Sequence, residues 1–343
     1  MRIDGVYVGI GEGDESDEIL KIILYVRKMY TPARNTVPVG RVFTPELTAE
    51  IKREQDVFVT QGKLKAGEFI PGVINLAWKY ASGYLKKDKL LPLYFSVEGH
   101  MSDMNIGPVA HIGEVLRAEG RALHFPTGYD RWSLPFKNQT GVDELARRIG
   151  SLVIHDPGMP EPVKFPKGTP WAGGFFSQGA MIWFDFYHQY LAPGKPLNWR
   201  LDDLRAAVVC GDPCREKGVV VDWIQDPPEP DRQGIMDDDN RWKDTPWWML
   251  ELARKGDLYT DNQSEGDIGL YKTSVARIIT QNKWSGGPTG MLARIIDLLQ
   301  PTDDLIPVTM AIIQAVMFVG NMRTHGEYPL DPAIQFVRER LAA

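Results

Sequence analysis

At 343 residues, with 43% hydrophobic residues and a formal net charge of −6, the chain is long enough for more than one domain and has the composition of a globular protein with a full core. Its 39 Lys and Arg stand against 45 Asp and Glu with no long basic block, which excludes nucleic acid as the main partner, because phosphate binding requires concentrated basic surface. Two cysteines exclude a disulfide scaffold, and the apolar stretch Leu305 to Gly320 is too short and too interrupted to span a bilayer.

Met1-Arg2-Ile3-Asp4-Gly5 has no apolar core of signal-peptide length, so nothing here directs classical secretion. Gly11-Glu12-Gly13 after Val6-Tyr7-Val8 has the look of a dinucleotide fingerprint but fails on context, since no parallel strand–helix–strand unit with a downstream acidic strand end follows. Residues 1 to about 85 read as a compact helical unit. Ile19, Ile22, Ile23, Val26 and Met29-Tyr30 recur at helical spacing, Thr44-Pro45-Glu46 opens a second helix through Gln55 and Phe58, and Pro71 precedes a third containing Val73, Ile74, Ala77 and Trp78. With Gly40-Arg41-Val42-Phe43 and Gly67-Glu68-Phe69-Ile70-Pro71-Gly72 between the helices, this order resembles the three-helix peptidoglycan-binding domain. An unrelated helical cap is the alternative.

After the Lys-rich connector Lys86 to Lys89, strands and helices alternate. Leu91 to Val97 reads as a buried strand, followed by a helix around Val109, Ile112, Val115 and Leu116. Then come Leu123-His124-Phe125-Pro126, the helix Gly141 to Ile149, Leu152-Val153-Ile154, the Phe175-Phe176-Ser177 strand end, the helix Ala180 to Tyr190, and Ala206 to Cys210. The alternation predicts an α/β fold, a mostly parallel sheet covered by helices on both faces, with ligands beyond the carboxyl ends of the strands at the Glu98, Ser177 and Gly211 loops. A helix starting near Pro246-Trp247-Trp248 leads to Asp257. Tyr271 to Gln281, Met291 to Leu299 and Ile306 to Phe318 read as an inserted helical subdomain at about 264–320, and Asp331-Pro332 opens a terminal helix.

The chemistry centres on Gly173-Gly174-Phe175-Phe176-Ser177-Gln178-Gly179-Ala180. This reads as a nucleophile elbow, in which the serine sits on a sharp strand-to-helix turn and the next backbone N–H, that of Gln178, faces the oxyanion. A plain strand–turn–helix serine is the alternative, because Phe175 stands where the elbow pattern has glycine. A serine nucleophile requires a base and an orienting acid. Of the six histidines, His100, His111, His124 and His155 precede the serine, His188 rides on the following helix, and His325 alone lies downstream of the sheet, in the loop Arg323 to Pro329. Asp257, in Gly256-Asp257-Leu258-Tyr259, is the candidate acid, with Asp261 and Asp267 as competitors. Cys210 and Cys214 read as a buried strand thiol and a loop thiol; with no histidine nearby, no metal site is expected.

Taken together in order, Gly174 to Ala180, Val208 to Gly218, Gly256 to Tyr259 and the His325 loop with Tyr328-Pro329 resemble the lysin B family of mycobacteriophages. The match runs over roughly residues 90 to 343. These are cutinase-like α/β-hydrolases that cleave the ester joining mycolic acids to arabinogalactan, and some carry an N-terminal peptidoglycan-binding domain. The resemblance implies a catalytic domain over 90–343 and a binding-like domain over 1–85. It assigns Ser177 as nucleophile, Asp257 as acid and His325 as base, with a helical insertion between acid and base and no cofactor. Glu98-Gly99-His100 departs from the more common His-Gly after the first strand, so the second oxyanion donor is sought among His100, Met101 and Ser102. An apolar substrate would need an apolar landing surface. Trp247, Trp248, Met317 and Phe318 are candidates for it, or core residues. The implied substrate is a mycolyl-arabinogalactan-peptidoglycan lipid ester, met by a phage protein made in the host cytoplasm and acting at the host envelope during lysis. A general lipase or cutinase, and a non-catalytic cell-wall-binding protein, are the alternatives.

Overall fold

The computed structural model describes all residues except 4–5, 66, 87–89, 134–135, 160, 264–321 and 343. The expected insertion, with Met317 and Phe318, and the competitor acid Asp267 therefore lie outside the described residues. Contacts gather the chain into two compact units, Met1–Leu93 with Gly113–His124, and Tyr94–Ile112 with Phe125–Leu341.

In the first unit, β1 (Arg2–Ile3) and β2 (Val6–Tyr7) pair antiparallel ahead of α1 (Asp17–Met29), α2 (Thr31–Thr36), α3 (Pro45–Thr60) and α4 (Leu76–Ala81). The Ser16 hydroxyl accepts the Ile19 N–H, with Asp17 and Glu18 in the first turn of α1 and Arg27 and Lys28 in the last, all favourable to the helix dipole. Thr44 caps α3 in the same way and Pro45 fits the first position, where its missing N–H costs no bond. The third helix is shorter than the spacing predicts. Ile74 exchanges hydrogen bonds of 2.8 and 2.9 Å with Ile10 in an antiparallel bridge, and Asn75 then caps α4 by accepting the Trp78 N–H. Ile19, Ile22, Ile23, Val26, Leu47, Ile51, Phe58 and Trp78 close one apolar core. The Gly11-Glu12-Gly13 turn serves this core: Gly13 N–H donates to Phe43 O and Phe43 N–H to Asp14 O.

The rest of the chain builds a sheet from β3 (Leu93–Val97), α5 (Pro108–Ala118), β4 (Leu123–Pro126), α6 (Asn138–Gly150), the short β5 (Val153–Ile154) and β6 (Val163–Lys164), β7 (Trp171–Phe176), α7 (Gln178–Phe186), β8 (Leu204–Cys210), β9 (Arg232–Gln233), β10 (Met249–Leu252), β11 (Asn262–Gln263), α8 (Met322–Gly326) and α9 (Asp331–Ala342). The five-stranded sheet has the order β10-β8-β7-β3-β4, and β7, β8 and β10 run parallel. Every residue of β3 and β7 is buried, which is why these strands read as continuous apolar runs rather than alternating ones.

Three expectations are corrected. Val153–Ile154 pairs with Val163–Lys164 outside the five-stranded sheet. Trp247 and Trp248 lead into strand β10, not a helix, because a short apolar run of four to six residues suits either element and parallel pairing with β8 decides it. His325 lies in the helical turn α8 rather than in a loop.

The chain builds β3 and then β4 outward, and returns to lay β7 on the other side of β3. Strand order reverses between β3 and β7, and a crevice at the carboxyl ends of such a pair is where α/β sheets bind ligands.

Candidate active site

Ser177 follows β7 directly with φ +56° and ψ −115°. Among the described residues it and Met101 are the non-glycine residues with positive φ, a strained backbone that persists only when its surroundings hold it. The hold is visible. Ser177 N–H donates to Cys210 O at 3.0 Å, and Ser177 O accepts the Ala180 N–H at 2.9 Å. The end of β3 crosses so close that a Cβ on Gly179 would stand 2.1 Å from Val97 O, and one on Gly99 3.0 Å from Ser177 Cβ.

Phe175 now has a physical account. Its buried ring lies flat on Trp183 of α7, 4.4 Å between centroids and 11° between planes. It passes over Gly173, where a Cβ would sit 2.5 Å from the ring. The bulk is directed into the layer between sheet and helix, while Gly99 and Gly179 provide the close approach that the turn requires.

His325 and Asp257 meet beyond the carboxyl ends of β8 and β10. His325 Nδ1 lies 2.9 Å from Asp257 Oδ2. Asp257 is buried; its Oδ1 accepts the Tyr259 N–H at 2.9 Å and its Oδ2 accepts the Tyr328 hydroxyl at 3.4 Å. The His325 ring rests between Phe176, at 5.0 Å, and Tyr259, at 4.5 Å, so it packs on the residue that precedes Ser177. Gly211, at φ +61°, admits the ring, since a Cβ there would come within 2.6 Å of it. His325 Nε2 is buried and has no hydrogen-bond partner among the described residues; with Nδ1–H donated to Asp257, the ring offers Nε2 as an acceptor. Asp261 is engaged elsewhere, accepting the Gly256 N–H and pairing with Arg232. His188 Nδ1 bonds Phe184 O and His124 pairs with Glu114.

On the oxyanion side, Gln178 begins α7, whose first N–H groups have no partner within the helix. Met101 N–H donates to Arg131 O at 3.0 Å and Ser102 N–H to Gly99 O at 3.3 Å, so both backbone donors are used inside the loops. The His100 ring is buried against Phe136, and burial lowers its pKa.

The departure at Glu98 has a structural role that sequence reasoning missed. Its Oε1 accepts the N–H groups of Val109 and Ala110, capping α5, and burial pushes its carboxyl up to about 8 against those bonds. A lone acid ending an apolar strand, ten residues before the helix-starting Pro108, was the available signal. Asp212 was also missed as a support: it is buried, accepts the Cys214 N–H, and burial pushes its carboxyl up. Trp247 and Trp248 lie at the opposite end of the sheet from Ser177, before β10. Trp247 is exposed beneath Arg340, and Trp248 packs edge-on to Trp183. Cys210 and Cys214 are buried free thiols. Among the described residues, no cluster of three His, Cys, Asp or Glu is placed to hold a metal, and no helix is long and apolar enough to cross a membrane.

No protein-family model and no curated protein matches the sequence. Among solved structures, the chain is similar to lysin B from Mycobacteriophage D29, at 23% identity over 72% of this chain and 99% of that one, with a TM-score of 0.54. A cutinase-like protein from Cryptococcus sp. (14% identity, 50% and 81% covered, TM-score 0.37) and the catalytic core domain of acetyl xylan esterase from Trichoderma reesei (14%, 56% and 97%, 0.36) are too distant to carry an argument. The chain thus shares the fold of that lysin B, a mostly parallel sheet with packed helices.

Proposed function

We propose that the protein is a serine carboxylic-ester hydrolase in which Ser177 is the nucleophile, His325 the general base and Asp257 the acid that orients it. The observation that carries the reading is the buried His325–Asp257 hydrogen bond with Nε2 unengaged, at the same end of the sheet as the strained Ser177. His325 Nε2 takes the Ser177 hydroxyl proton as Oγ attacks the ester carbonyl carbon. The tetrahedral oxyanion is held by the Gln178 N–H at the positive end of α7. His325 then gives the proton to the departing alcohol, and water repeats the sequence on the acyl-enzyme to release the acid.

The substrate in this reading is a mycolyl-arabinogalactan ester, attacked at the host envelope during lysis by a phage protein. Residues 1–85 act as a peptidoglycan-binding module on the same wall. The four ordered motifs and the shared fold with a mycobacteriophage lysin B support this. A fluorophosphonate should label Ser177, and Ser177→Ala should lose the label and at least about 10,000-fold in nitrophenyl ester turnover. A folded Ser177→Ala protein that retains turnover rejects the mechanism. Release of free mycolic acids from purified mycolyl-arabinogalactan in preference to tributyrin hydrolysis supports the narrower substrate; the reverse preference makes it a general lipase. Intact Ser177→Ala protein should sediment with mycolate-free peptidoglycan, and failure to do so removes the binding role.

A further inference from the structure

The side chain of Gln178 is almost wholly buried beside the nucleophile, and both ends of its amide are bonded. Its Nε2 donates to Asn138 Oδ1 at 3.0 Å, and its Oε1 accepts from the Tyr129 hydroxyl at 3.3 Å. The same hydroxyl donates to Glu98 O at 2.9 Å, where β3 ends. The one Tyr129 hydroxyl hydrogen is shared between Glu98 O, the closer acceptor, and Gln178 Oε1, so the Gln178 amide is tied on one side to Asn138 and on the other to the Tyr129 loop and the end of β3, four separate segments of the chain. Burial alone does not explain it. An apolar side chain of similar volume at 178, with apolar neighbours, would bury as well and require no partners.

We infer that Tyr129 and Asn138 are positioning residues for the oxyanion donor: by clamping both ends of the Gln178 amide they fix the first residue of α7, and with it the direction of the Gln178 N–H beside Ser177. The inference rests on the esterase reading and deepens it. Neither residue touches the reacting atoms. They act through Gln178, and a backbone donor tilted by an ångström or less loses its alignment with the oxyanion while ground-state binding is unchanged.

Tyr129→Phe, which removes one oxygen and leaves the ring, should lower kcat for a nitrophenyl ester by about 10- to 100-fold with KM within about twofold. Asn138→Ala, which releases the clamp from its other end, should behave alike and serves if Tyr129→Phe does not fold. The decisive readout is coupling. In a Gln178→Ala background the clamp has nothing to hold, so adding Tyr129→Phe should change kcat by no more than about twofold. A merely structural contact would instead lower the melting temperature with kcat per labelled site unchanged. Wild-type turnover with undiminished kcat in Tyr129→Phe and in Asn138→Ala overturns the inference and leaves the esterase reading standing, as does a full additional loss in the Gln178→Ala background. Wild-type protein that neither hydrolyses esters nor takes a fluorophosphonate overturns the esterase reading, and the inference with it.

Discussion

The two units handle backbone strain in opposite ways. In the first, every positive φ among the described residues falls on a glycine: Gly9, Gly13, Gly62, Gly67, Gly72, Gly83 and Gly120. In the second, Met101 and Ser177 adopt it with side chains attached. Both units bury charge, and the second also pairs it, Arg200 Nη1 lying 3.4 Å from Asp203 Oδ2. In the first unit Lys79 is fully buried on Glu18 at 3.0 Å and also donates to Glu119 O, while Arg121 and the Tyr84 hydroxyl reach the same Glu18 carboxylate. His325, in the second, keeps a buried nitrogen without a partner among the described residues. A serine held in a glycine's conformation and an imidazole nitrogen left open are what the proposed ester hydrolysis requires.

The largest effect expected on that chemistry after loss of the serine is at Asp257. Asp257→Asn should lower kcat by about 1,000- to 10,000-fold, because the wrong imidazole tautomer then faces the nucleophile, while Asp261→Asn stays within about tenfold. Equal losses from a steady-state comparison of the two would reassign the acid. On stability, Phe175→Ala should cost about 3–5 kcal/mol in a urea titration through loss of the ring against Trp183. Phe175→Gly should cost about 1 kcal/mol more, although it restores the usual elbow residue. A neutral Phe175→Gly would return the close-approach role to position 175. In the first unit, Glu18→Leu strands the Lys79 ammonium and should cost about 3–5 kcal/mol, most of it recovered in Glu18→Leu/Lys79→Met. If the double variant is no better than the single, the ion pair is not what Glu18 provides.

Each unit also carries a buried acid that pH can test. Glu54 and Glu98 are both pushed up to about 8, Glu54 by burial and then the Glu50 charge, Glu98 by burial against the bonds from Ala110 and Val109. A carboxyl raised above its unfolded value holds its proton more tightly when folded. Its contribution is full below the unfolded value of 4.5 and is lost as pH rises through the folded one. Stability to urea should therefore fall between about pH 5 and 8. Glu54→Gln and Glu98→Gln should each remove a part of the fall on the order of 1–3 kcal/mol. A variant with the wild-type slope would show that its carboxylate is solvated.

Order along the chain made much of this legible: the alternation of apolar runs and helices after residue 90 gave the sheet, and the sequence of Ser177, Asp257 and His325 brought forward two groups that do meet across 68 residues. What stayed hidden depends on neighbours distant in sequence. Phe175 looked like an obstacle because Trp183 and Gly173, which accommodate it, are recognisable only once α7 lies on β7. Trp247 and Trp248 read as a candidate landing surface because hydrophobicity carries no information on which end of a strand faces Ser177. Met101 and Ser102 looked like free donors because backbone N–H groups have no sequence signature, and theirs go to Arg131 O and Gly99 O. Tyr129 and Asn138 had no motif at all. Their role follows from what Gln178 touches.

The smallest predicted effect tests the opening contrast most directly. If Ser177 stores strain, Ser177→Gly should be more stable than Ser177→Ala by about 1 kcal/mol, since glycine adopts φ +56° at no steric cost while alanine keeps the strained Cβ. The mirror experiment uses Gly62 of the first unit, at φ +69° with open space where a Cβ would go. Gly62→Ala should lose about 1 kcal/mol from backbone conformation alone. Both variants are read from the urea midpoint at constant slope, which separates stability from changes in the unfolded chain. A gain at 177 matched by a loss at 62 places the strain at the nucleophile. Equal stability of Ser177→Gly and Ser177→Ala would mean that the bonds to Cys210 O and from Ala180 N–H, rather than a tolerated strain, set the turn.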